Sequence, residues 1–138
     1  MNDTYLTRIH FEDTDCAGVV YHSNYLNYME RARSEWIEKL GFGIDWQRLQ
    51  DANFAVRSIQ VDFLKPARLH QWLEVFSTIK EIRRASLIFN QCLRLRDAPD
   101  TIICTAEIKV ACIDQQFRSR ALPEELTNLL MNLCGERL

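Results

Sequence analysis

Glycine and proline are scarce in this chain, 4 and 3 among 138 residues, which excludes collagen-like, proline-rich and linker-rich architectures. No apolar run approaches the roughly eighteen residues that span a bilayer, so no transmembrane segment is expected. The opening stretch MNDTYLTRIHFEDTD lacks the apolar core of a secretory signal, and a cytoplasmic location is the expectation. Neither sign of charge prevails: the formal net charge is −2, and nothing pulls the chain toward nucleic acid. No CxxC pair occurs. The five cysteines, Cys16, Cys92, Cys104, Cys112 and Cys134, form an odd set that reads as buried structural thiols, not as a disulfide framework, a zinc site or a nucleophile. No cluster of metal-ligand residues is visible either, so neither metal nor cofactor is expected.

What the chain does have is a 47% hydrophobic composition and enough length to bury roughly two thirds of its unfolded surface in a single domain spanning residues 1–138. Residues 5 to 11 read as a first strand. From Asn24 the pattern turns helical: Tyr25, Met29, Ala32, Trp36 and Leu40 recur every three or four residues, with Glu30, Arg31, Glu35, Glu38 and Lys39 outside the stripe. Ser23 or Asn24 can cap the start and Gly41 the end. The spacings Arg31/Glu35 and Glu35/Lys39 suit surface ion pairs.

After the helix, Ile59, Val61 and Phe63 alternate with Ser58, Gln60 and Asp62, the period-2 pattern of a strand, and Lys65-Pro66-Ala67 ends it. Runs at about 71–82, 85–96 and 101–113 are rich in strand formers, with Arg83-Arg84 and Asp97-Ala98-Pro99-Asp100 as turns. Turns this short require antiparallel neighbours. Pro123 at a first helical position, followed by Glu124 and Glu125, opens a closing helix to about Leu133. The order predicts an α+β domain in which a curved antiparallel five-stranded sheet wraps a long helix, the arrangement of a hotdog fold.

The chemistry concentrates between the first strand and the helix, in Asp13-Thr14-Asp15-Cys16-Ala17-Gly18-Val19-Val20-Tyr21-His22-Ser23-Asn24. Two acids and a histidine lead into a helix start, whose unpaired N–H groups can stabilise an oxyanion. A carboxylate beside such a sink can attack a carbonyl or activate water, and an acyl thioester needs those two parts without a metal.

The segment DTDCAGVVYHSNYLNYMERAR closely resembles the signature of the YbgC branch of the 4-hydroxybenzoyl-CoA thioesterase family. That resemblance implies a hotdog-fold hydrolase of short- to medium-chain or aromatic acyl-CoA. It also implies that Asp15 is the catalytic carboxylate, acting as general base or nucleophile, with Asp13 a structural loop residue. Backbone N–H groups near Tyr21 and His22 are then expected to polarise the thioester carbonyl, and His22 to orient the acid, the water or the thioester. Ile82 to Ser86 and Arg118 to Pro123 match family positions more weakly.

Arg83, Arg84, Arg118 and Arg120 are candidates to meet the phosphates of coenzyme A, against a reading as solvated turn arginines. A dedicated 1,4-dihydroxy-2-naphthoyl-CoA hydrolase shares the DTD and GVVY elements, although the His22-Ser23-Asn24 continuation is more like the YbgC branch. A reading from another class is a non-catalytic partner of acyl-carrier protein or of a membrane complex. A lone sheet around one helix leaves an open edge, so a homodimer or homotetramer with each site built from two chains is expected. Trp36, Phe54, Val56 and Phe63 are the residues expected to set the depth of the acyl pocket.

Overall fold

Strands rich in β-branched and aromatic residues, with clear in–out alternation along β3 and β5, form the sheet, and the 3.6-residue stripe builds the helix that crosses it. The computed structural model describes residues 2–135. In chain order its elements are β1 (Asn2–Arg8), α1 (His22–Lys39), α2 (Ile44–Gln50), β2 (Asn53–Phe63), β3 (Trp72–Ile82), β4 (Ser86–Leu95), β5 (Ala98–Ile113) and α3 (Glu124–Gly135). The strands form one antiparallel sheet in the order β1-β3-β4-β5-β2, which leaves β1 and β2 at its edges. This is the hotdog fold, α+β, with α1 laid across the sheet. No helix among the described residues is long and apolar enough to cross a membrane.

Several boundaries differ from the sequence reading. The first strand ends at Arg8 because Phe11–Asp13 curls into a 3₁₀ turn, closed by the Asp13 carboxylate accepting from the His10 N–H at 2.9 Å. Helix α1 starts at His22, with Tyr21 as its N-cap and no side chain capping it. Ser23 and Asn24 lie inside its first turn. Seven residues are too few to show periodicity, and no sequence pattern marks α2; Trp46 packs edge-on against Phe42, ring centroids 4.6 Å apart. The turn between β4 and β5 is Arg96-Asp97, and Pro99 sits at the start of β5, where register shifts near Arg94 and Leu95 spare it a ladder donor. Pro123 is the residue before α3, its carbonyl accepting from Thr127 N–H at 3.0 Å.

Helix α1 buries Tyr25, Tyr28, Met29, Ala32, Trp36 and Ile37 against the inward rows of the sheet, among them Leu73, Val75, Phe89, Leu93, Cys104 and Ile108. The five charged residues left off the apolar stripe are all exposed. Their expected i,i+4 ion pairs do not form among the described residues. Lys39 instead pairs with Asp3 of β1 at 3.0 Å, and Glu30 accepts from Ser34 Oγ.

Inside the apolar rows sits one polar cluster. Gln91 on β4 and its cross-strand neighbour Ser77 on β3 both face α1. Gln91 Nε2 donates to the Met29 carbonyl at 2.9 Å and to Ser77 Oγ at 3.0 Å, while Oε1 accepts from Arg33 Nη1 at 2.9 Å. Every polar atom of the amide is used, and the helix is fixed in rotation and height over the sheet. Gln91→Leu strands these groups in the core, where each orphan costs about 1–3 kcal/mol and a charged one more. The variant is expected to lose roughly 3 kcal/mol in urea denaturation, and an unchanged midpoint contradicts this account of the cluster.

Candidate active site

The acidic loop is organised by backbone bonds. Asp15 N–H donates to the Val19 carbonyl and Gly18 N–H returns to the Asp15 carbonyl, closing a tight turn in which Gly18 takes a positive φ of 77°. Asp15 Oδ1 accepts from the Ala17 N–H at 2.8 Å. The carboxylate is exposed in the single chain, and its other oxygen has no hydrogen-bond partner among the described residues.

Asp13 anchors this loop to the helix. Its carbonyl accepts from Tyr21 N–H and from Asn24 Nδ2, both at 2.9 Å, while its carboxylate holds His10 N–H. Tyr28 Oη, fully buried, finds no hydrogen-bond partner among the described residues; burial first, and the charge of Asp13 second, push its phenol upward.

Of the two expected backbone donors, Tyr21 is therefore already engaged with Asp13. The N–H groups of His22 and Ser23, the first two of α1, have no acceptor among the described residues and point out of the helix start. Sequence reading missed Ser23 because it placed the helix start two residues later.

The His22 ring is exposed and lies edge-on to Phe63, centroids 6.0 Å apart, and 4.6 Å from the Tyr21 ring. Tyr25 packs on Phe63 and accepts from the Ala67 N–H through Oη at 3.0 Å. Burial raises the Tyr25 phenol, and the charges of Cys104 and Asp15 add to that rise against the Ala67 hydrogen bond. The Asp15 loop thus lies at the Phe63 end of the sheet, tied to residues 67 and 68 through Val20 and Val19.

The four arginines stand at the other end. Cys112 N–H donates to the Ala85 carbonyl, Arg120 N–H to Cys112 and Leu122 N–H to Arg84, which gathers the 83–85 and 118–122 segments at the β3–β4 turn. Arg83 is held by Glu81 at 2.9 Å and Arg118 by Asp114 at 3.1 Å. Arg120 Nη1 donates to the Ala121 carbonyl, and Arg84 makes no side-chain bond among the described residues. Phe63 faces Cys104 and Phe54 faces Cys112 across β2 and β5, so the two ends lie roughly 30 Å apart at about 3.3 Å per residue. One chain does not bring Asp15 and the arginines together.

The Phe54 end also holds a cavity of about 340 Å³ between α1 and the sheet, with Arg33, Ile37, Phe54, Val56, Leu87 and Phe89 in its lining. Of the four expected pocket residues, Phe54 and Val56 line it. Trp36 is buried against Phe89 and Phe63 belongs to the His22 end.

Residues 9–130 match the model of the thioesterase-like superfamily. The acyl-CoA thioester hydrolase YbgC of Escherichia coli O6:H1 is 38% identical over 120 residues, covering 86% of this chain and 88% of that protein. The acyl-CoA thioesterase YbgC of Helicobacter pylori is 37% identical over 130 residues, covering 89% and 96%. A probable thioesterase from Bartonella henselae has a crystal structure that superposes with a TM-score of 0.83 at 28% identity, covering 89% of this chain and all of that one.

Cys104 and Cys112 are buried, as expected of structural thiols, and burial pushes the Cys104 thiol up to about 12. Cys16, beside Asp15, departs from that expectation by being exposed, and Cys92 and Cys134 are only partly buried. A thiol-reactive chromophore is expected to label Cys16 most rapidly in the native protein, and Cys104 and Cys112 only in denaturant; fast native labelling of Cys104 or Cys112, mapped by peptide mass, contradicts the packing described.

Proposed function

The chain belongs to the thioesterase-like superfamily and is a thioester hydrolase; from that premise we propose that it cleaves acyl-CoA to free acid and coenzyme A with Asp15 as general base. The observation that carries this reading is the pairing of a half-free Asp15 carboxylate with the unengaged N–H groups of His22 and Ser23, the loop of one closing directly onto the helix start of the other. Asp15 takes a proton from water, the water oxygen attacks the thioester carbon, and the carbonyl oxygen gathers charge against those N–H groups. Collapse breaks the C–S bond and the proton goes to the departing thiolate. His22, exposed at the edge of Phe63, orients the thioester over the helix start.

The acyl group and the nucleotide need more than this end of one chain offers, and the edge of β2 supplies the rest. Val56, Ile59, Phe63 and the following Leu64 are all at least a third exposed along the edge strand β2, whose outer side is unpaired among the described residues, a surface that a soluble monomer rarely leaves bare. Antiparallel pairing of β2 with a second copy, centred on Ser58 in the middle of the strand, sets Phe63 of one chain beside Asn53 of the other. The Asp15 loop of each chain then meets the cavity at Phe54 and Val56 of its partner. Arg84 and Arg120, whose charges are not neutralised by a carboxylate within 4.0 Å among the described residues, stand beyond that cavity to meet the phosphates of coenzyme A. We therefore assign the working enzyme as at least a homodimer with two sites, each built from both chains.

The test is thiol release from short, medium, long and aromatic acyl-CoA, including 1,4-dihydroxy-2-naphthoyl-CoA. Asp15→Asn is expected to cut kcat by about 10² to 10⁴, the worth of a general base, with the thermal midpoint unchanged because the exposed side chain carries little packing. No cleavage of any thioester, or equal activity in the variant, overturns the assignment.

A further inference from the structure

The mechanism above makes no use of Arg33, whose burial packing alone does not explain. It lies in the middle of α1 with 8% of its surface exposed. Among the described residues its guanidinium makes one hydrogen bond, to the neutral Gln91 Oε1, and no ion pair. Burial pulls its pKa downward, opposed by the charge of Glu30 one turn away, yet an arginine stays protonated in a protein. A full positive charge is thus held in the interior with N–H donors to spare, an arrangement that costs stability unless something completes it.

The same side chain lines the cavity at the Phe54 end. The walls there are apolar, Ile37, Phe54, Val56, Leu87 and Phe89, while Glu30, Ser34 and Glu38 form an exposed stripe of α1 along the rim. An acyl chain that is apolar throughout suits the walls and leaves the Arg33 donors idle. A chain that is apolar along its length and anionic at its tip suits both, because the planar guanidinium presents paired donors that match a carboxylate. The rim carboxylates oppose an anion on its way in, but they stand in water, where charges interact several-fold more weakly than around a desolvated guanidinium.

We propose that this cavity takes an acyl group ending in a carboxylate, with Arg33 as the residue that selects it; this rests on reading the cavity as the acyl site. Gln91 holds the guanidinium from behind, so the fork is positioned before the substrate arrives.

Adipoyl-CoA and hexanoyl-CoA have the same chain length and differ in the terminal group. The unmodified protein is expected to hydrolyse adipoyl-CoA with a kcat/KM at least about tenfold above that for hexanoyl-CoA, and Arg33→Met to invert that preference, since a site built to bond a polar group discriminates strongly against its absence. Should the variant fail to fold, the unmodified protein still decides. Free adipate is expected to inhibit hexanoyl-CoA hydrolysis competitively at roughly tenfold lower concentration than hexanoate. Hydrolysis of hexanoyl-CoA as fast as adipoyl-CoA, with the two acids equal as inhibitors, overturns the role of Arg33 and leaves the thioesterase reading standing. Hydrolysis of neither, nor of any other thioester, overturns both.

Discussion

The amide of Gln91 is the point through which the helix is referred to the sheet. Apolar burial is non-directional, and a stripe of Tyr, Met, Ala and Trp packs against a curved sheet in more than one rotation. Gln91 removes that freedom by bonding the Met29 carbonyl, Ser77 and Arg33 together, since any other rotation strands several polar groups in the core. Both ends of the helix inherit the result. Toward its start, Asp13 ties the acidic loop to Tyr21 and Asn24; toward its middle and end, Arg33 and Ile37 close the roof of the cavity.

A second constraint is that the sheet stops at β2. Its outer N–H and C=O groups must find water or another strand, and the side chains that flank them are apolar and open. Self-pairing of that edge answers the unmet hydrogen bonds. In the same step the proposed pairing joins the acidic loop of one chain to the cavity and arginines of the other, which are separated along the length of β2 within a chain. On this view the exposed apolar edge and the divided site have one explanation, the proposed two-chain assembly.

Much of this was legible in the residues. The runs rich in strand formers at about 71–82 and 85–96 lie within a residue of β3 and β4, and the Tyr25, Met29, Ala32, Trp36 stripe marks α1 and its buried face. Short turns gave the antiparallel pairing. The misses have physical causes. The start of α1 is fixed by tertiary bonds to Asp13, not by a side-chain cap, so Ser23 and Asn24 signalled a boundary in the wrong place. Helix α2 is too short to display a period, and the ion pairs expected along α1 lost to a partner on β1 that is distant in sequence. Arg33, four residues after Met29 and three before Trp36, falls on the buried face of α1 by position, and what no local pattern carries is that Gln91, 58 positions later, receives its guanidinium there. The separation of Asp15 from the arginines likewise depends on sheet order, which no local pattern carries.

The claim that each site draws on two chains is tested most directly by mixing two impaired variants. Asp15→Asn lacks the base, and Val56→Trp fills the cavity while keeping Asp15. Refolded together, they form some mixed dimers in which the intact Asp15 of one chain meets the open cavity of the other. The account predicts that acyl-CoA hydrolysis, strongly reduced in each variant alone, rises well above the sum of the two in the mixture. A mixture no more active than the sum of its components, with mixed dimers demonstrated by differently tagged chains, places base and cavity in the same chain and contradicts it.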